Sequence, residues 1–142
     1  MRTDIRDLIQ SNNVCVLATV SEGEPHCSLM TYATNNDSHE IYMITQRETK
    51  KYRNLKGNPS VSLLIDTRKT DNKNRTKALT ITGTFQSSVD ENKKSIILAS
   101  LLEKNSNLKE FIDDPATEII VVQVRAVQLL DGIKDSYFEI VT

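Results

Sequence analysis

The chain has no excess of charge of one sign, little cysteine or histidine, no long apolar run and no repeat. Each shortage removes a class of function. Lysine and arginine total 18 against 19 aspartate and glutamate, a net charge of −1, which excludes a globally basic nucleic-acid binder. Two cysteines, Cys15 and Cys27, and two histidines, His26 and His39, stand in no CxxC, HxxxH or HExxH spacing. A structural zinc site takes about four ligands at defined spacing, so no metal is expected. No apolar run approaches the ~18 residues of a membrane span, so no membrane partner is expected. The opening residues Met1, Arg2, Thr3 and Asp4 lack the apolar core of a secretory signal. No repeat or linker divides the 142 residues, and a single domain over 1–142 is expected. A chain of this mass buries roughly two-thirds of its unfolded surface, enough for a core without disulfides. A hairpin turn over 22–25 sets Cys15 opposite about Tyr32 and Cys27 opposite about Val20, too far apart to bridge. Two reduced, buried thiols in a cytoplasmic protein are the expected state.

What is present is dominated by short apolar and β-branched runs. Residues 14–20 (VCVLATV), 26–34 (HCSLMTYAT), 40–45 (EIYMIT), 60–66 (SVSLLID), 78–87 (ALTITGTFQS), 118–130 (EIIVVQVRAVQLL) and 137–141 read as strands. Gly83 marks a bulge or a close approach of two backbones. A short helix over 3–12 carries Ile5, Leu8 and Ile9 on one face, with Thr3 as its cap. A second runs from Arg47 or Glu48 to Lys56, with Gly57 just past its end and Pro59 barring continuation. A third opens at the capping-box pair Ser88 and Glu91 and ends at Asn105, and residues 108–112 add one more turn. Six to seven mostly antiparallel strands with short connections and peripheral helices predict a mainly β protein, a single β-barrel whose closure removes exposed strand edges.

The stretch with the most chemistry is 45–56. It holds Arg47, Lys50, Lys51, Arg53 and Lys56 against one acid, Glu48. Cations at a helix N-terminus oppose the helix dipole by a few tenths of a kcal/mol each. A bound anion reverses that sign, because it accepts from free backbone N–H groups, the Thr49 hydroxyl and the ammonium groups of Lys50 and Lys51. A phosphate monoester meets that description, and so does a plain solvated basic face. No Walker or Rossmann glycine pattern is present. A second basic cluster, Arg68, Lys69, Lys73, Arg75 and Lys77, reads as a solvated loop or as a guard that meets an anionic substrate.

These residues carry a resemblance. Thr45, Thr49-Lys50-Lys51, Leu55, Asn58-Pro59 and Val61-Ser62-Leu63-Leu64 keep the spacing of the pyridoxamine 5′-phosphate oxidase-like family, the FMN-binding split β-barrels. The strands before and after them fit the same scheme. The resemblance implies FMN held at the interface of a homodimer. Thr49, Lys50 and Lys51 would hold its 5′-phosphate. Ser28, Leu29, Met30 and Thr31 would lie along the isoalloxazine ring, largely through backbone groups, and Ile44 and Thr45 would flank the ring and ribityl chain. True pyridoxamine phosphate oxidases carry a C-terminal Arg-x-His segment and an arginine on the second strand. Here the sequence reads Asp135-Ser136-Tyr137-Phe138-Glu139 at the end and Ser28 on that strand, so the activity that names the family is not expected. The implied function is an FMN-dependent oxidoreductase acting on an unidentified small molecule, with a nicotinamide as one candidate donor. The alternative is a flavin- or haem-binding carrier or sensor without turnover. No catalytic acid or base is assignable, and His26 and His39 read as rim residues.

Overall fold

Inward Cys15, Leu17 and Thr19 alternate with outward residues along β1 (Val14–Ser21), the pattern of a strand with one face on a core. The structure, a computed structural model, describes residues 1–67, 76–132 and 134–141. β1 belongs to one curled sheet with β2 (Glu24–Thr31), β3 (Ala33–Thr34), β4 (Glu40–Gln46), β5 (Ser60–Asp66), β6 (Lys77–Gln86), β7 (Thr117–Asp131) and β8 (Asp135–Ile140). The order is β2-β1-β5-β6-β7-β4-β3, and every pairing is antiparallel. β8 pairs with the half of β7 that β4 leaves free. Around the sheet lie α1 (Thr3–Ser11), α2 (Lys50–Gly57), α3 (Glu91–Lys104) and α4 (Lys109–Ile112). This is the expected mainly β split barrel. The strand expected over 26–34 is interrupted at Tyr32, which turns one expected strand into β2 and β3 and brings the count among the described residues to eight.

Two cores flank the sheet. The inner one gathers Ile5 and Ile9 of α1 with Leu17, Met43, Leu63, Ile81 and Ile120. The outer one sits under α3, where Ile97, Leu101 and Leu108 cover Ala33, Tyr42 and Val121. β4 and the first half of β7 are therefore covered on both faces, which is why 41–44 and 119–122 are continuously apolar. Gly83 sits where the β6–β7 register shifts. A Cβ there would lie 2.5 Å from Val122 Cγ1 and 2.7 Å from the Gln123 carbonyl oxygen, so the glycine marks both the bulge and the close approach.

Local chemistry departs from expectation at several ends. The β1–β2 turn is two residues, Glu22 (φ 52°) and Gly23 (φ 78°), both in the left-handed region that a tight hairpin requires. Its short loop moves the register, so Cys15 faces Met30 and Cys27 faces Ala18. Cys15 is buried as expected, and burial pushes its thiol up to about 12. Cys27 lies on the other face and is exposed, which corrects the expectation of two buried thiols. Thr3 is the first helical residue of α1 and Arg2 stands at the cap position without a side-chain bond. Gly57 is still helical, with Asn58 as the cap. Asp90, not Ser88, caps α3, accepting from Lys93 N at 2.8 Å. In the second basic cluster Arg68, Lys69, Lys73 and Arg75 lie outside the described residues, while Lys77 opens β6.

Candidate functional site

The site begins at Tyr32. Its N–H donates to the Asn13 carbonyl at 2.9 Å, extending the β1–β2 ladder. One residue later the chain leaves β1, and Ala33 and Thr34 pair with Tyr42 and Ile41 of β4. The side chain fixes this switch point. Tyr32 is fully buried, its hydroxyl donates to the Ile9 carbonyl at 2.6 Å, and Asn105 Nδ2 donates to the Tyr32 carbonyl at 3.4 Å. Asn105 also accepts from Asn13 Nδ2 at 3.2 Å. Burial pushes the Tyr32 phenol well above its ordinary value, so it stays a neutral donor.

Beyond this pivot the two edges part. Carried backwards, the β3–β4 register would pair Thr31 with Ile44, Met30 with Thr45 and Leu29 with Gln46. Among the described residues no such ladder forms. All six residues line one cavity of about 310 Å³ instead. Among the described residues the β2 edge that faces it keeps free backbone groups. Antiparallel pairs alternate between bonded and non-bonded. Because Tyr32 is bonded to Asn13, the N–H and C=O of Thr31 and Leu29 point away from β1, towards the cavity.

The remaining walls come from α2 and from residues 106–117. Thr49 caps α2, its Oγ1 accepting from Tyr52 N at 3.3 Å and donating to the Gln46 carbonyl at 2.9 Å. Thr45 Oγ1 lies 3.2 Å from Thr49 Oγ1. Lys51, in the first turn, brings its ammonium to 3.5 Å from the Met30 thioether. A thioether is a weak acceptor, and among the described residues Lys51 makes no ion pair. Arg47 is engaged elsewhere: its guanidinium meets Glu118 at 2.8 Å and the Pro115 carbonyl at 3.2 Å. The Glu118 bond raises its already high pKa. Tyr52 Oη reaches the other Glu118 oxygen at 3.4 Å, and burial, with Glu118 beside it, raises that phenol too.

Of the nine residues expected to bind a cofactor, Leu29, Met30, Thr31, Ile44, Thr45, Thr49 and Lys51 line this cavity. Ser28 and Lys50 do not. Ser28 is half-buried with Oγ 3.4 Å from His26 Nε2, and Lys50 is exposed at the start of α2. Sequence reasoning missed Gln46, Leu108, Phe111 and Thr117. Gln46 stands next to an assigned residue and was within reach of the same pattern. Leu108 and Phe111 arrive from sixty residues away through the packing of α3, for which no local spacing gives a sign.

A sequence model of the pyridoxamine 5′-phosphate oxidase family matches residues 1–131. General stress protein 26 of Bacillus subtilis (strain 168) is 34% identical over 65 residues, 46% of this chain and 45% of that protein. The match thus spans less than half the length of that relative. The haem-binding protein from Mycobacterium smegmatis superposes at a TM-score of 0.84 and 20% identity, covering 99% of this chain and 59% of its own. A FAD-binding protein from Mesorhizobium loti superposes at 0.75 and 16% identity, covering 94% and 96%. Identities this low speak to the fold alone. The sequence match takes in every strand from β1 to β7, including both edges of the cavity, and the chain belongs to the pyridoxamine 5′-phosphate oxidase family.

Proposed function

We propose that the cavity between β2 and β4 binds FMN and that the protein is an FMN-dependent oxidoreductase of a small molecule, distinct from a true pyridoxamine phosphate oxidase. The observation that carries the reading is the unpaired stretch itself: six residues that a continued ladder would have joined face a hollow, with one cation at its end. When bound, FMN would supply two-electron or hydride transfer between a donor, a nicotinamide being one candidate, and an acceptor. The chain's own residues fit that group. Lys51 and the Thr49 hydroxyl form a corner for the phosphate at the N-terminus of α2. The free backbone groups of Leu29 and Thr31 can bond the polar edge of the ring, while Ile44, Met30 and Leu108 offer apolar contact. Ser28 and Lys50 stay in the proposal at the periphery, Lys50 adding long-range attraction for the phosphate.

A homodimer belongs to the same proposal. The outer sheet face carries a cross-strand row that runs Leu29, Val16, Leu64, Thr80, Gln128, Phe138. Leu29 is 76% exposed, Phe138 60% and the nearby Ile140 69%. Exposed apolar side chains thus stand at both ends of the row, Leu29 and Leu64 at one and Phe138 and Ile140 at the other, with Thr80 and Gln128 between them, a surface that a second copy can cover. Leu29 also lines the cavity, so a second copy seated on this face would close its open side. A cytoplasmic setting goes with the reading and keeps the exposed Cys27 thiol reduced. Among the described residues no helix is long and apolar enough to cross a membrane.

A second reading, a flavin or haem carrier without turnover, draws support from two observations. Among the described residues lining the cavity Lys51 alone is titratable, and the Mycobacterium smegmatis neighbour binds haem. Purification decides first. The protein is expected to be yellow, to release FMN on denaturation and to run as a dimer by light scattering. Colourless protein that takes up neither FMN nor haem at micromolar concentration would end both readings. Repeated reduction and reoxidation of the bound flavin in stopped flow supports the enzyme over the carrier.

A further inference from the structure

We infer that Phe111 is a flavin-contacting residue, an aromatic wall of the cavity that packs on the ring system; this rests on the flavin reading of the cavity. Phe111 is 52% exposed although it is a large apolar side chain, and it lines the cavity together with Leu108. An exposed phenylalanine on a loose loop would say little. This one is held. Its carbonyl accepts from Asp114 N at 3.2 Å and from the Thr117 hydroxyl. Asp114 is tied in turn to the end of β4, its Oδ2 accepting from Gln46 Nε2 at 3.1 Å and its Oδ1 from Ala116 N at 2.9 Å. Thr117 and Gln46 also line the cavity. The backbone that presents the phenyl group is therefore bonded to the strand that carries Ile44 and Thr45, while the ring itself is left without full cover. A flat π-system entering between the β2 edge and α4 supplies that cover, by offset stacking or edge-to-face contact.

The inference separates ring recognition from phosphate recognition, which gives the test two axes. FMN and riboflavin share the ring and differ in the phosphate. Titration of Phe111→Ala is expected to show both ligands weakened by the same factor, about ten-fold. Lys51→Ala should instead weaken FMN and leave riboflavin unchanged. Phe111→Trp is the fold-preserving companion. An indole in contact with a flavin quenches its emission, so the bound-flavin fluorescence of this variant should fall well below wild type while affinity stays within about two-fold. Phe111→Ala with wild-type affinity for both ligands, or Phe111→Trp with unquenched emission, overturns the inference while leaving the cavity a flavin site. Wild-type protein that binds neither ligand overturns it together with the flavin reading.

Discussion

The two ends of β4 are built from similar groups and reach opposite outcomes. At its start the Glu40 carboxylate accepts from Lys93 Nζ at 2.9 Å, Gln123 Nε2 at 2.6 Å and Tyr42 Oη at 2.7 Å, and Gln123 reaches on to Gln86 at 2.8 Å. Burial alone would raise the Glu40 pKa; the bonds from Lys93, Tyr42 and Gln123 outweigh it and hold the carboxyl below its usual value. Burial, with Glu40 beside it, raises the Tyr42 phenol. At the other end of β4 the Thr45 hydroxyl meets the Thr49 hydroxyl, and the Lys51 ammonium in the same cavity meets a thioether. One end is saturated by its own chain and the other is not. A half-buried polar group without a good partner costs stability that an incoming ligand can restore. The saturated end holds β4, β7 and α3 together, and the unsaturated end is where a ligand has something to gain.

The largest effect is expected at the open end. The double variant Lys50→Ala/Lys51→Ala should weaken FMN by about 2–3 kcal/mol, since each charge-assisted contact to phosphate is worth about 1.5–3 kcal/mol. Most of that loss should appear in Lys51→Ala alone, because Lys50 is exposed and off the cavity. Equal losses in the two single variants would show that the anion corner is wider than the geometry implies, and no loss in the double variant would remove the phosphate from this site.

At the saturated end Glu40→Ala should lower unfolding free energy by about 2 kcal/mol at neutral pH, measured by denaturant titration, and leave FMN affinity unchanged. Its pH dependence has a definite sign. The folded-state pKa of Glu40 is depressed, so between that value and the ordinary 4.5 the unfolded chain binds more protons. The contribution is complete above 4.5 and is lost as pH falls through the folded value. The gap between wild type and Glu40→Ala should therefore close on acidification. A gap that widens in acid contradicts the assignment, and a loss of FMN affinity in Glu40→Ala erases the division between the two ends.

The smallest effect is the most diagnostic. Thr45→Val keeps the shape and removes the hydroxyl. Stability should fall by no more than about 1 kcal/mol, the net value of the one hydrogen bond lost to Thr49, while FMN affinity falls by a similar amount. The same change in a saturated network would cost stability first. A Thr45→Val protein that is clearly destabilised but binds FMN normally would mean that this hydroxyl serves the fold.

The cavity's β4–α2 side was readable because its residues lie within seven positions of each other. Thr45, Thr49 and Lys51 sit at a strand end and a helix start, and local backbone geometry brings them together whatever the rest of the chain does. Strand and helix identities were readable for a related reason, since burial on one or both faces writes a period into the residues. Cap positions were less so: Asp90 and Ser88 both carry side-chain oxygens near the start of α3, and the choice depended on where the chain enters from β6. The separation of β2 from β4 was not readable at all. Residues 26–34 look like one apolar strand, and nothing within them says that pairing must change partner at Tyr32. That change depends on Ile9 and Asn105, which meet Tyr32 from 23 and 73 positions away. Leu108 and Phe111 reach the cavity by the same long-range packing. By itself the sequence determined the elements, their faces and the cationic corner, because these are set by neighbours along the chain. Tertiary structure alone decided which two edges stay unpaired and what walls the gap between them, because an unpaired edge is a property of two strands and of the core that holds them apart.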